Sequence, residues 1–130
     1  MTDPPLSAVE VIKAAIVAML APMAPVAILL GLASGDPIGL LAAVPLVLFF
    51  GLPIAAAHVL PLWVPSYLLL TRIGAMGWWQ AAALGLACGG LPTLILSFPV
   101  PASPAEACFF AGCGVVGGLA FHGALEWRRM

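Results

Sequence analysis

Apolar residues run through this chain in long blocks, broken at a few places by short polar or turn-forming clusters. A helix needs about 20 consecutive apolar residues, at 1.5 Å each, to cross a hydrocarbon layer of about 30 Å. Measured against that length, the blocks predict spans over about 14–33, 38–70, 79–98 and 105–125. The first closes at Ser34-Gly35-Asp36-Pro37, a cluster of turn formers. The third closes at the proline-rich PVPASP, and the fourth at Glu126-Trp127-Arg128-Arg129. The expected fold is an all-α membrane protein, a bundle of four transmembrane helices forming a single integral membrane domain over 1–130.

The block 38–70 is the difficult one. It holds no charged residue and would be about 50 Å long if wholly helical. That is too long for one upright span and too short for two with a turn. Charge arbitrates. If the block crosses once, Lys13, Arg72, Arg128 and Arg129 share one side, while Asp36 and Glu106 fall on the other. The positive-inside rule then makes the basic side cytoplasmic, with both termini there. Trp78, Trp79 and Trp127 fall at expected interfaces, whereas Trp63 would lie somewhat inside the second span.

Proline spacing bears on the same block. Pro37, Pro45, Pro53 and Pro61 recur every eight residues, with Pro65 added. Each interior proline removes a backbone donor and crowds the carbonyl four residues before it. The second segment is therefore expected to be kinked or broken near 51–53, at Gly51-Leu52-Pro53, either as one kinked span or as a half-helix followed by a span. Opened backbone of this kind lines solute paths in transporters, and proline is also simply frequent in membrane helices.

Composition agrees with the block pattern. The chain is 64% hydrophobic and 7% charged, against roughly 25% charged in a soluble domain. Its net charge of −1 gives no basic footprint for nucleic acid, so the expected surroundings are the lipid bilayer and other membrane subunits or further copies of itself. The first apolar block exceeds the 7–15 residues of a secretory signal core, and Asp3 and Glu10 precede Lys13. It is expected to be a retained span.

Small residues supply the clearest packing signal. Ala81, Gly85 and Gly89 recur at intervals of four in the third span, as do Gly114 and Gly118 in the fourth. Such strips let helix backbones approach closely, so that van der Waals contact drives association. The two strips are expected to face one another, with a homodimer or a docked subunit as the alternatives.

Few residues could carry chemistry. His58 lies about 18 Å of helix from Leu70, near the expected midplane. A histidine there could handle protons or substrate, or could simply bond to a carbonyl freed by proline. No carboxylate is expected at comparable depth, which counts against a proton-coupled carrier acting alone. His122 and Glu126, one turn apart, form an expected polar cluster at the cytoplasmic end. Cys88, Cys113 and Cys108 match no metal or haem spacing. Hydrolase, metalloprotease and phosphate-loop signatures are missing, so neither catalysis nor a cofactor is expected.

Length and span count are similar to those of small four-span drug exporters. The pattern of that family includes a buried glutamate in the first span, whereas here Glu10 precedes Lys13 and the apolar core; the exporters' function is not carried over. The expected protein is a non-enzymatic accessory or structural subunit of a bacterial inner-membrane assembly. The alternative is a small oligomeric transporter or channel with a path near His58 and the Pro53 break.

Overall fold

A computed structural model of the chain describes residues 7–74, 76–96 and 103–127. Helices α1 (Ala8–Leu20), α2 (Met23–Ser34) and α3 (Pro37–His58) come first. A π-helical turn, Val59–Trp63, then leads into α4 (Val64–Arg72), followed by α5 (Trp78–Leu96) and α6 (Pro104–Glu126). No strand occurs among the described residues. The expected end of the third span at 97–98, and Arg128 and Arg129, lie outside them.

Among the described residues three helical stretches are long and apolar enough to cross a membrane: Ala8–Ser34, Pro37–Arg72 and Pro104–Glu126. The first is jointed at Ala21–Pro22, where α1 gives way to α2. Helix α3 runs unbroken through Gly51-Leu52-Pro53, and the change in hydrogen-bond register comes later, at Val59–Trp63.

Local chemistry fixes the helix starts. Ser7 and Ser103 each accept from the backbone N–H three residues on, while Glu10 and Glu106 return a bond to the cap residue's own N–H. These reciprocal pairs satisfy two otherwise orphaned donors at each helix start. Asp36 caps α3 by accepting from the Gly39 N–H, and Pro37 occupies the first turn, where its missing donor costs nothing. The preceding Gly35 holds φ 74°, a left-handed conformation that ends α2 and suits glycine.

The packed body is formed by α1, the π turn with α4, α5 and α6. Its buried centre comprises Ala14, Ala15 and Ala18 of α1, with Trp63, Tyr67, Ala81, Phe121 and Leu125. Phe121 is fully enclosed, edge-on to both Trp63 and Tyr67, at ring-centroid separations of 5.9 and 4.7 Å. Where the surrounding solvent is hydrocarbon, contact of this kind, rather than release of water, holds helices together.

Helices α2 and α3 are arranged differently. They pack on each other as a hairpin, and neither makes an extended contact with α5 or α6 among the described residues. Gly51 of α3 lies under the Met23 sulfur of α2, and a Cβ there would come within 2.6 Å of it. The hairpin thus stands off the body, leaving a cleft.

Candidate functional site

The π turn owes its position to Pro61 and Pro65. In regular α geometry the Pro65 ring would meet the Pro61 carbonyl, and the Pro61 ring would meet that of Ala57. Two such conflicts one turn apart are relieved by letting the turn widen by one residue, a common form of π-bulge. The widened register is visible in the Val64 N–H, which bonds to the carbonyl of Val59 five residues back. Such a turn brings residues five apart close to the same face. Here those residues are His58 and Trp63, and both line the cleft.

The cleft holds about 320 Å³ and is partly open. Met23, Val26 and Leu30 of α2 form one wall, and Val47, Phe50 and Ile54 of α3 another. Opposite lie Gly85, Cys88 and Gly89 of α5, with Phe109, Phe110, Cys113 and Gly114 of α6. The volume falls within the roughly 300–1,000 Å³ of small-molecule pockets, and an apolar lining with few polar groups is their usual character.

Two polar side chains interrupt that lining. The His58 Nδ1 lies 2.6 Å from the carbonyl oxygen of Ile54. A carbonyl can only accept, so Nδ1 carries the proton; in the neutral ring Nε2 is then an acceptor. The bonded carbonyl is one turn before the histidine and is not one that a proline has freed. Trp63 is 3% exposed, and its indole Nε1 is buried without a hydrogen-bond partner. Buried indole N–H groups ordinarily find an acceptor, and leaving one unmet costs roughly 1–3 kcal/mol.

The small-residue strips meet each other. A Cβ on Gly85 would collide with the backbone of Gly114, and one on Gly114 with the backbone of Gly85. A Cβ on Gly89 would strike the Phe110 carbonyl. On Gly118 it would lie 2.6 Å from the Ala81 carbonyl and 2.7 Å from the rim of the Trp63 indole. Ala81 is fully buried in this contact. Glycine is required at these positions because backbone, rather than flexible side chain, occupies the space. By seating the indole, Gly118 also ties the α5–α6 contact to the floor of the cleft.

His122 and Glu126 are placed separately. His122 is 4% exposed, and its Nδ1 lies 2.9 Å from the Tyr67 hydroxyl. The Trp78 ring stands edge-on to the imidazole, at 4.7 Å between centroids. Glu126, one turn on, is half-buried. His122 is thus part of an aromatic core network joining α4, α5 and α6, and it does not line the cleft with His58.

Sequence reasoning passed over Trp63 and Tyr67 as site residues. The signal for Trp63 was present: a tryptophan within a span, two residues after one proline and two before another. Tyr67 carried no comparable mark, since its role depends on a partner 55 positions away. Among the described residues no group of three or more His, Cys, Asp or Glu side chains could hold a metal ion. Cys88 and Cys113 border the cleft as free thiols. No known protein family, curated protein or solved structure matches the chain.

Proposed function

We propose that the protein is a non-enzymatic integral membrane protein of the bacterial inner membrane, with four spans and both termini cytoplasmic, that binds a small lipid-soluble molecule in the cleft beside His58 and passes it on. The observation carrying this reading is the cleft itself. It is a recess of about 320 Å³, walled mainly by apolar side chains on four helices, with His58, Trp63 and the thiols of Cys88 and Cys113 as the polar-atom-bearing side chains among the described residues. A transmembrane helix, about 10–12 Å across with its side chains, is too bulky for a recess of that volume, so the size favours a small guest.

The four-span arrangement takes α5 as a span beside the three longer stretches. It keeps Lys13 and Arg72 on one side, with Asp36 and Glu106 on the other, as the positive-inside rule favours.

A second reading, the accessory or structural subunit, is favoured by the bareness of the hairpin. In the stretch Pro37–Arg72 only 12% of the most apolar window is buried within the chain, against 28% for the other two. Leu32, Ile38, Leu41 and Phe49 offer a broad outward face to lipid or to another subunit.

Extraction in mild detergent, followed by intact-mass measurement and identification of everything bound, separates the two readings. The binding reading expects a lipid-soluble compound at about one per chain, retained by the native protein and lost from Ile54→Trp, which fills the cleft. A stoichiometric unrelated polypeptide, with no small molecule, would replace it with the subunit reading.

A further inference from the structure

The described residues form two packed units. The body has the buried centre given above, to which α2 and α3 contribute no residue. The hairpin has a separate one: α2 buries Ala27 and Gly31, α3 buries Ala43 and Val47, and each of these helices packs chiefly on the other. The chain passes between the units at two links. At Ala21–Pro22 α1 leads into α2, and at Val59–Trp63 α3 leads through the π turn into α4. Beside these links the contact of the hairpin with α1 is slight.

Both links carry paired prolines. Between residues 7 and 96 prolines stand within four positions of each other at two places only, Pro22 with Pro25 and Pro61 with Pro65. Each proline lacks the N–H that would bond to the carbonyl four residues back. Each pair therefore withdraws two of the donors that would carry a helix stiffly through the junction. Pro45 and Pro53, eight apart, leave α3 continuous by contrast. Kinks gather where the ladder is interrupted in this way, and a few residues at the ends of elements suffice to absorb a hinge rotation.

A rigid unit held at two joints has one easy motion, rotation about the line through them. Both joints border the cleft, which is lined by Pro22 and Met23 at one and by Val59 and Trp63 at the other. The hairpin supplies the wall on one side, and α5 with α6 the wall opposite. Rotation therefore changes the width of the cleft and leaves both buried centres intact. We propose that the α2–α3 hairpin is the gate of the cleft, swinging as one body on its paired-proline joints to open the recess to the bilayer and close it again. Such a gate needs no guest, so its movement and the binding reading stand or fall separately.

Distances between paired spin labels, measured by pulsed electron paramagnetic resonance on the full chain in bilayers, test the gate. Cys88, Cys108 and Cys113 are first replaced by alanine. Labels at Leu32→Cys and Val116→Cys span hairpin and body. Leu32→Cys with Phe49→Cys lies within the hairpin, and Ile12→Cys with Val116→Cys within the body; all four sites are exposed. Hinge motions run over microseconds to milliseconds, and rapid freezing captures their populations. The hairpin–body distribution is expected to be broader than either control. Pro22→Ala combined with Pro65→Ala, which restores a donor at each joint, should remove the excess width. Ile54→Trp, which fills the cleft, should shift the mean hairpin–body distance and leave both controls in place.

A hairpin–body distribution as narrow as the controls would overturn the gate. Equal breadth within the hairpin would overturn its movement as one body. Excess width that survives the two alanine substitutions, with the body control unchanged, would overturn the role given to the prolines. A mean distance unmoved by Ile54→Trp would overturn the coupling of the hairpin to the cleft.

Discussion

Adding a single methyl group at Gly114 should separate the last two helices. Its Cβ would overlap the Gly85 carbonyl oxygen and lie 3.0 Å from both the Gly85 carbonyl carbon and the Gly89 Cα. All three are backbone atoms, so no rotamer change can make room. To restore ordinary contact, α5 and α6 must part by about 1 Å, and a gap of 0.5–1 Å already forfeits a quarter to a half of the attraction between facing atoms. Overpacking of this kind costs about 1–3 kcal/mol, and a site walled by backbone belongs at the upper end. Replacing glycine by alanine within a helix returns about 1 kcal/mol through propensity. The net expectation for Gly114→Ala is a loss of about 2 kcal/mol.

Gly112 provides the control, because a Cβ there would meet nothing within 4 Å. Gly112→Ala should keep the propensity gain and be neutral or up to about 1 kcal/mol more stable. Reversible unfolding in mixed micelles, followed by circular dichroism, measures both. The two variants should differ by about 3 kcal/mol, combining the loss at one site with the gain at the other. Equal stability of Gly114→Ala and Gly112→Ala would refute the backbone contact between α5 and α6.

Three further outcomes are expected. Tyr67→Phe removes the 2.9 Å bond to His122 and should cost about 1 kcal/mol in the same unfolding assay, within the range for interhelical bonds in membranes. Ser103→Ala abolishes the capping box at the start of α6 and should cost about 1 kcal/mol, with faster amide exchange at the first turn on hydrogen-exchange mass spectrometry. Cys108, exposed near the start of α6, should react with a membrane-impermeant maleimide added outside intact spheroplasts, while Cys88 and Cys113 stay unlabelled. Labelling only after the membrane is opened would reverse the proposed orientation.

Much of the architecture could be read from composition and spacing, because lipid demands continuous apolar helices and turn formers mark where they stop. The strip of Gly85, Gly89, Gly114 and Gly118 was legible for the same reason: the small residues recur at the helical interval. Two local features were equally available and went unread. Ser7-Ala-Val-Glu10 and Ser103-Pro-Ala-Glu106 both spell a capping box, so Glu10 and Glu106 bond at helix starts.

The irregular turn was harder to place. Prolines at regular spacing announce strain somewhere in 38–70, and Gly51 beside Pro53 looks the weakest point. Yet isolated Pro45 and Pro53 are absorbed within α3, and it is the closer pair, Pro61 and Pro65, that coincides with the π turn. What could not be read is the standing-off of the α2–α3 hairpin. It depends on which faces of four apolar helices meet, and when nearly every face is apolar no periodicity distinguishes them. Trp63 illustrates the consequence: awkward as an interface tryptophan, it is a core residue on the wall of a cleft formed only in three dimensions.

The central claim is that this cleft, rather than the outer surface at large, holds the guest. A diazirine-bearing lipid-soluble probe, photoactivated with the protein in bilayers and mapped by peptide mass spectrometry, tests it most directly. The account predicts adducts concentrated at Ile54, His58, Cys88 and Cys113, displaced by excess of the same compound without the diazirine and largely absent from Ile54→Trp. Adducts spread over Leu32, Ile38 and Leu41, unaffected by the competitor or by filling the cleft, would describe ordinary annular lipid and contradict it.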